Sequence, residues 1–259
     1  MANTSGDRTA AARQIQQRLE SLQAAGVEFL PGANRDLPPP QPITVETGTS
    51  LFEETSAPTP AIDPDTRRQG LAVLVDEVRE CMACEELCST RTQTVFGVGP
   101  FDPEVCFIGE APGADEDRQG EPFVGAAGQL LTKIIIACGM KREEVYICNI
   151  LKCRPPGNRQ PKPNEAANCR GFLDRQLDLI RPKFICCLGA TAAQYLLKTR
   201  TPIGKMRGRF FDYKGIPVLC TYHPASLLPH RSPENKKLVW DDMKTLLQKM
   251  GRPIPATGK

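Results

Sequence analysis

The sequence predicts a three-layer α/β/α domain with a central, mostly parallel four-stranded sheet, preceded by a disordered extension. Three observations predict it. Beyond Arg67, apolar runs of four to six residues alternate with longer amphipathic stretches, the signature of βαβ units. Polar loops bearing Gly, Asn or Pro follow three of those four runs directly, as loops do at the carboxyl ends of strands in such sheets. Ahead of Arg67 both periods vanish over a stretch crowded with Pro, Thr, Ser and acidic residues, including Pro38-Pro39-Pro40.

Taken in order, Asp7 to Ala25 places Ile15, Leu19 and Leu22 at helical spacing, and Gly26 stops the pattern, which predicts one short amphipathic helix. Pro31 to Pro64 shows neither period and reads as a linker. The apolar runs Val105–Gly109, Val145–Ile150, Lys183–Leu188 and Val218–Tyr222 are the strands. Helices are expected over Arg67–Cys81, Gly125–Gly139, Asn164–Ile180, Thr191–Lys198 and Pro233–Met250. The division is therefore an extension over 1–66, a domain over 67–251 and a flexible tail over 252–259.

At 259 residues and 40% hydrophobic, the chain is long and apolar enough to bury a core, which excludes a wholly disordered or fibrous protein. Runs such as Phe184 to Leu188 fall far short of the ~18 residues of a membrane span. The start MANTSGDRTAAARQ lacks the apolar centre of an export signal, so a cytoplasmic protein with no membrane partner is expected. The net charge of +3 conceals a division: residues 1–66 carry 4 Lys and Arg against 9 Asp and Glu (−5), and residues 67–259 carry 29 against 21 (+8). The larger part suits a polyanionic partner.

The 11 cysteines divide into two kinds. Cys106, Cys148, Cys186, Cys187 and Cys220 lie inside apolar strands and Cys138 in a helix, where each serves as a small core hydrophobe. Cys81-Met82-Ala83-Cys84 differs, because a two-residue gap brings two sulfurs to one metal or one cluster face. Cys153 and Cys169 flank the polar, Pro-rich loop Arg154–Pro163 and supply a second pair, with Cys88 as a spare. Four thiolates without histidine fit zinc or an iron–sulfur cluster, and spacing alone leaves both open.

The run GEAPGADEDRQGEPFVGAAGQLL (Gly109–Leu131), then VYICNILKCRPPGNRQPKPNEAANC (Val145–Cys169), then TYHPASLL (Thr221–Leu228) resembles the family 4 uracil-DNA glycosylases. The resemblance spans roughly Leu71 to Met250 with every motif in order. It implies an α/β/α fold and a [4Fe-4S] cluster held by Cys81, Cys84, Cys153 and Cys169. It also implies a DNA-repair reaction on uracil-containing DNA, in which the base is flipped from the stack, the N-glycosidic bond is hydrolysed and an abasic site remains. The enzyme is expected to be a monomer, with residues 7–25 able to dock on a replication or repair protein.

By the same resemblance, Phe123 stacks on uracil, and the Asn149 amide reads its edge as donor and acceptor at once. His223, fixed by Pro224, donates to the uracil oxygen where leaving-group charge grows. Glu110 orients the attacking water. Ala111 occupies a position where many other uracil glycosylases carry Asp. Glu116 either crowds the C5 edge, excluding thymine, or pairs with a surface cation. Leu227 and Leu228 supply the apolar wedge that fills the gap in the stack. Family members commonly follow those leucines with Arg-Asn-Pro, whereas this chain reads Pro229-His230-Arg231-Ser232-Pro233, two residues longer. Arg154, Arg159, Lys162, Arg231, Lys236 and Lys237 are expected at phosphates. A relative that traps the sugar through a loop histidine carries Gln at the position of Ala111 and a histidine-bearing insert, both missing here. A non-catalytic iron–sulfur module that binds nucleic acid or senses redox state would not need Glu110, Phe123, Asn149 and His223 together.

Overall fold

The computed structural model describes residues 63–228 and 233–256. The helix expected over Asp7–Ala25, nearly all of the Pro-rich linker and the segment 229–232, with His230 and Arg231, lie outside the described residues.

Helix α1 (Pro64–Glu80) starts three residues ahead of the expected position because Asp63 caps it: its carboxylate accepts from Thr66 N at 3.1 Å, and Pro64 occupies the first turn. A short helix α2 (Glu85–Thr90) follows, with Cys84 at its N-cap. Next come β1 (Val105–Gly109), α3 (Ala114–Gln119), α4 (Ala126–Ala137), β2 (Tyr146–Asn149) and α5 (Pro163–Ile180). Then β3 (Phe184–Leu188), α6 (Ala190–Leu196), α7 (Ile203–Met206), β4 (Phe210–Tyr213), β5 (Ile216–Thr221) and α8 (Pro233–Lys249) complete the order.

Among the described residues the sheet has five strands rather than the four expected, in the order β2-β1-β3-β5-β4. The four expected strands are parallel, and the additional β4 pairs antiparallel with β5 at the edge. Its hairpin turns at Lys214 and Gly215, both at positive φ (51° and 82°), the backbone that a two-residue hairpin requires. The tail, expected from Arg252, starts fastened: the Arg252 guanidinium pairs with Glu104 and its backbone N–H donates to Leu247 O.

Side chains alternate strictly between the two sheet faces, and both faces are buried. Cys106, Ile108, Cys148 and Cys187 pack toward Leu173 and Leu177 of α5 and Ala192 and Ala193 of α6. Val105, Phe107, Ile147, Cys186 and Leu219 pack toward Leu131 and Ile135 of α4 and Met243 and Leu246 of α8. Helix α1 lies on α5. The strand cysteines are 0% exposed, so their expected role as core residues is borne out, and burial pushes the Cys106, Cys186 and Cys187 thiols well above their ordinary range. No helix among the described residues is long and apolar enough to cross a membrane.

Candidate functional site

The carboxyl ends of β1, β2 and β5 point the same way, and the loops leaving them enclose a cavity of about 490 Å³. Glu110, Ala111, Phe123, Asn149 and His223 all line it, so five residues singled out across 114 positions of sequence meet in one place. Such a crevice is where parallel α/β sheets gather their ligands.

Phe123 is buried, with φ at +55°, a backbone that a bulky side chain rarely adopts. Two glycines explain how it is tolerated. A methyl on Gly128 would collide with the Phe123 carbonyl, and a methyl on Gly109 would lie 2.5 Å from Phe123 Cζ and against Asn149 Oδ1. The bare end of β1 thus lets the ring lie down beside the amide. The ring faces His223 across 5.6 Å between centroids, tilted by 31°.

Asn149 is the last residue of β2, aligned with Gly109 of β1. It is 1% exposed, yet among the described residues its Oδ1 has no hydrogen-bond partner. An unpaired buried acceptor costs about 1–3 kcal/mol, so one held at a cavity wall points to a ligand donor.

His223 follows β5 and caps the 3-10 turn Pro224–Leu227. Its Nδ1 accepts from Ala225 N at 3.1 Å, which leaves the proton of a neutral ring on Nε2. Burial pushes its pKa down to about 4, against a weaker opposing pull from Glu116, so the ring is neutral near pH 7.

Glu116 lines the cavity and, among the described residues, makes no ion pair. Its Oε1 accepts from Val124 N and Gly125 N, both at 2.9 Å, and its Oε2 from Gly113 N at 3.1 Å. One carboxylate thereby fastens the loop after β1 to the loop carrying Phe123. Beside it, buried Asp117 accepts from Thr92 N at 3.0 Å, tying α3 to the segment that follows α2. Neither clamp has a sequence motif beyond the acidic run itself.

The wedge expectation divides. Leu227 is 2% exposed, in the core cluster that holds Val239 and Met243 of α8, because the 3-10 turn rotates it inward; only Leu228 keeps partial exposure. Of the expected phosphate contacts, Arg159 is engaged with Glu165 (2.5 Å) and Glu86 (3.0 Å), and Lys162 with Glu86 (2.5 Å). Arg154, whose Nε donates to Asn158 Oδ1, and Lys236 and Lys237 remain, while Arg231 lies outside the described residues.

The four cysteines of the two pairs come together from the end of α1, the N-cap of α2, the loop after β2 and α5. Cys169 is near enough to Cys84 and Cys81, and Cys153 to Cys169, for their charges to act on one another. Arg91 donates to Cys153 Sγ at 3.0 Å and to Cys81 O at 2.9 Å, and Asn168 donates to Cys84 Sγ at 3.4 Å. Cys88 donates to Cys81 O at 3.4 Å and is also near enough to Cys153 for their charges to act on one another. Among the described residues, no three His, Cys, Asp or Glu side chains form a group that could hold one metal ion.

A family model described as "Uracil DNA glycosylase superfamily" matches residues 96–244. The type-4 uracil-DNA glycosylase of Thermotoga maritima is 42% identical over 191 residues, 72% of this chain and 99% of that protein. The type-4 enzyme of Archaeoglobus fulgidus is 44% identical over 70% and 96% of the two chains, and that of Saccharolobus solfataricus 41% identical over 71% and 88%.

Proposed function

We infer the workings of the site from one premise: this chain belongs to the uracil DNA glycosylase superfamily, with the type-4 enzymes, and it is a hydrolase that excises uracil from DNA in repair. The assignment of residues to steps is our proposal, and the convergence of Phe123, Asn149 and His223 on one cavity carries it.

A flipped uracil enters the cavity and lies on the Phe123 ring. Its N3–H meets the unpaired Asn149 Oδ1, and its O4 meets the amide NH₂. Cytosine offers a bare N3 and an amino group at those positions, which sets acceptor against acceptor and donor against donor. A site built around buried polar groups discriminates strongly on that basis, because the wrong edge leaves them unpaired.

As the glycosidic bond stretches, negative charge grows on the uracil ring. On this reading the His223 Nε2–H donates to the O2 carbonyl, and a neutral donor of this kind typically contributes 10²–10³-fold, about 2.7–4 kcal/mol. Neutrality has a use: the hydrogen bond strengthens as charge develops and no proton needs to leave. Glu110, half-buried on the same wall, orients water toward the sugar and offsets its positive charge. Glu116 holds the two loops in register instead of reading the base, and Leu228, the partly exposed leucine after the turn, fills the vacated stack.

We further propose that Cys81, Cys84, Cys153 and Cys169 hold a [4Fe-4S] cluster. The donor set fits: four thiols from four segments, with Arg91 and Asn168 donating to two of the sulfurs, the kind of outer contact that tunes such clusters. A four-iron cluster also spreads its thiolates apart, whereas one zinc ion draws them to about 2.3 Å from a single point. Through these four residues a cluster bound there would tie α1, α2 and α5 to the loop that leaves Asn149.

The test is abasic-site yield from a uracil-containing oligonucleotide under single-turnover conditions, comparing wild type with His223→Ala. Wild type should convert the strand and the variant should be at least about 10²-fold slower. Equal rates would refute the role of His223, and no uracil release by wild type would refute the reading of the site.

A further inference from the structure

Lys152 is 1% exposed, the only buried lysine among the described residues. Burying an ammonium is costly unless its hydrogens are all bonded. Each of the three has a partner on a different element: Phe96 O at 3.0 Å ahead of β1, Asn149 O at 3.1 Å at the end of β2, and Gln176 Oε1 at 2.6 Å on α5. None of these is a carboxylate. Gln176 is fixed in turn, donating to Phe96 O at 3.1 Å and to Tyr146 Oη at 2.9 Å. The result is a closed, satisfied network directly behind Asn149, of the kind that rigidifies what it touches.

The residue it touches is the one whose aim matters. Asn149 lines the cavity, and among the described residues its buried Oδ1 has no hydrogen-bond partner, so no hydrogen bond fixes that oxygen. Its direction is set from behind, by the backbone at the point where β2 stops. Lys152 reaches back three residues to hold that backbone.

We propose that Lys152 is a positioning residue: it fixes the Asn149 carbonyl and thereby sets the aim of the base-reading amide, and with it the preference for uracil over cytosine. The proposal rests on the reading of Asn149 given above. Lys152 touches no substrate. Misplacement of a binding group by about 1 Å can cost on the order of 10²-fold in rate.

A double-mutant cycle tests it, read as single-turnover excision by the full chain with its metal content measured, because Lys152 adjoins Cys153. Lys152→Met keeps the stem and removes the three donors, and should slow uracil excision by about 10- to 10²-fold. Placed on Asn149→Ala, the same substitution should add little, since the residue through which it acts is gone. Placed on His223→Ala, it should add its whole effect. A lysine that merely holds the fold together would add its whole effect in both backgrounds, and that result overturns the proposal. Should Lys152→Met fail to fold, Gln176→Met removes the 2.6 Å acceptor and leaves the ammonium on its two carbonyls; its smaller loss should again vanish on Asn149→Ala, and additivity there overturns the proposal equally. An inactive wild type would fail the functional reading, whereas an active wild type with an additive cycle fails only this one.

Discussion

His223 should stay neutral far below the pH at which a free imidazole takes up its proton. Burial shifts its pKa from 6.5 to about 4, and at 1.36 kcal/mol per unit the difference amounts to at most about 3 kcal/mol for a half-buried ring. The folded pKa lies below the unfolded one, so the unfolded chain binds the proton first. Stability from this group is complete above pH 6.5 and is lost as pH falls from there to 4. Protonation would also place a hydrogen on Nδ1, where Ala225 N–H already donates at 3.1 Å, setting two donors against each other in the turn that carries the ring. Glu116 is the carboxylate that opposes the shift from across the cavity, and Glu110 lines the same wall. The chain has two histidines, so His230→Gln leaves a single imidazole for nuclear magnetic resonance titration. That signal should titrate near pH 4, with Nε2 protonated in the neutral form, and excision by Glu110→Gln, which removes the other titratable group of the mechanism, should be flat from pH 7.5 to about 5. A titration midpoint near 6.5, or a neutral ring protonated on Nδ1, would refute the reasoning.

Purified without oxygen, the protein should be brown, absorb broadly near ~400 nm and hold about four irons, and Cys153→Ala should lose both colour and thermal stability; colourless protein with one zinc would overturn the cluster. Leu227→Ala should lower stability by about 2–5 kcal/mol as a core truncation, whereas Leu228→Ala should leave the melting curve in place and slow excision from duplex more than from single strands, and the opposite pattern would restore Leu227 as the wedge. Gly109→Ala should fold yet lose at least about tenfold in rate as its methyl meets the Phe123 ring at 2.5 Å; an unchanged rate would show that the ring has room to move.

Four strands and five helices were legible in the sequence because apolar runs and amphipathic stretches report the period of the backbone. The fifth strand escaped because Phe210-Phe211-Asp212-Tyr213 is short, at the edge and only partly buried, so it shows no clean alternation. The loops after the strands mark Asn149 and His223 as site candidates from the residues themselves, whereas Phe123 and the roles of all three rest on the resemblance, and the structure brings the three to one cavity. It was not legible where the partner is remote. Arg159 and Lys162 both meet Glu86, more than 70 positions earlier, and nothing in their own loop shows that it faces them. The sequence leaves Glu116 divided between the uracil C5 edge and a surface cation, because the amides it binds carry no signature in sequence. Leu227 and Leu228 are neighbours with the same side chain, and only the 3-10 turn separates a core residue from a partly exposed one.

The groups proposed to read, stack and donate come from three connections, and the last of them waits on β5, which pairs in parallel with β3. A chain growing from its amino terminus therefore presents Asn149 and Phe123 well before His223, which is 74 residues later, roughly 4–15 s of synthesis. On the proposed roles, the site is complete only when that strand joins the sheet, so a chain ending before β5 would lack the His223 donor altogether.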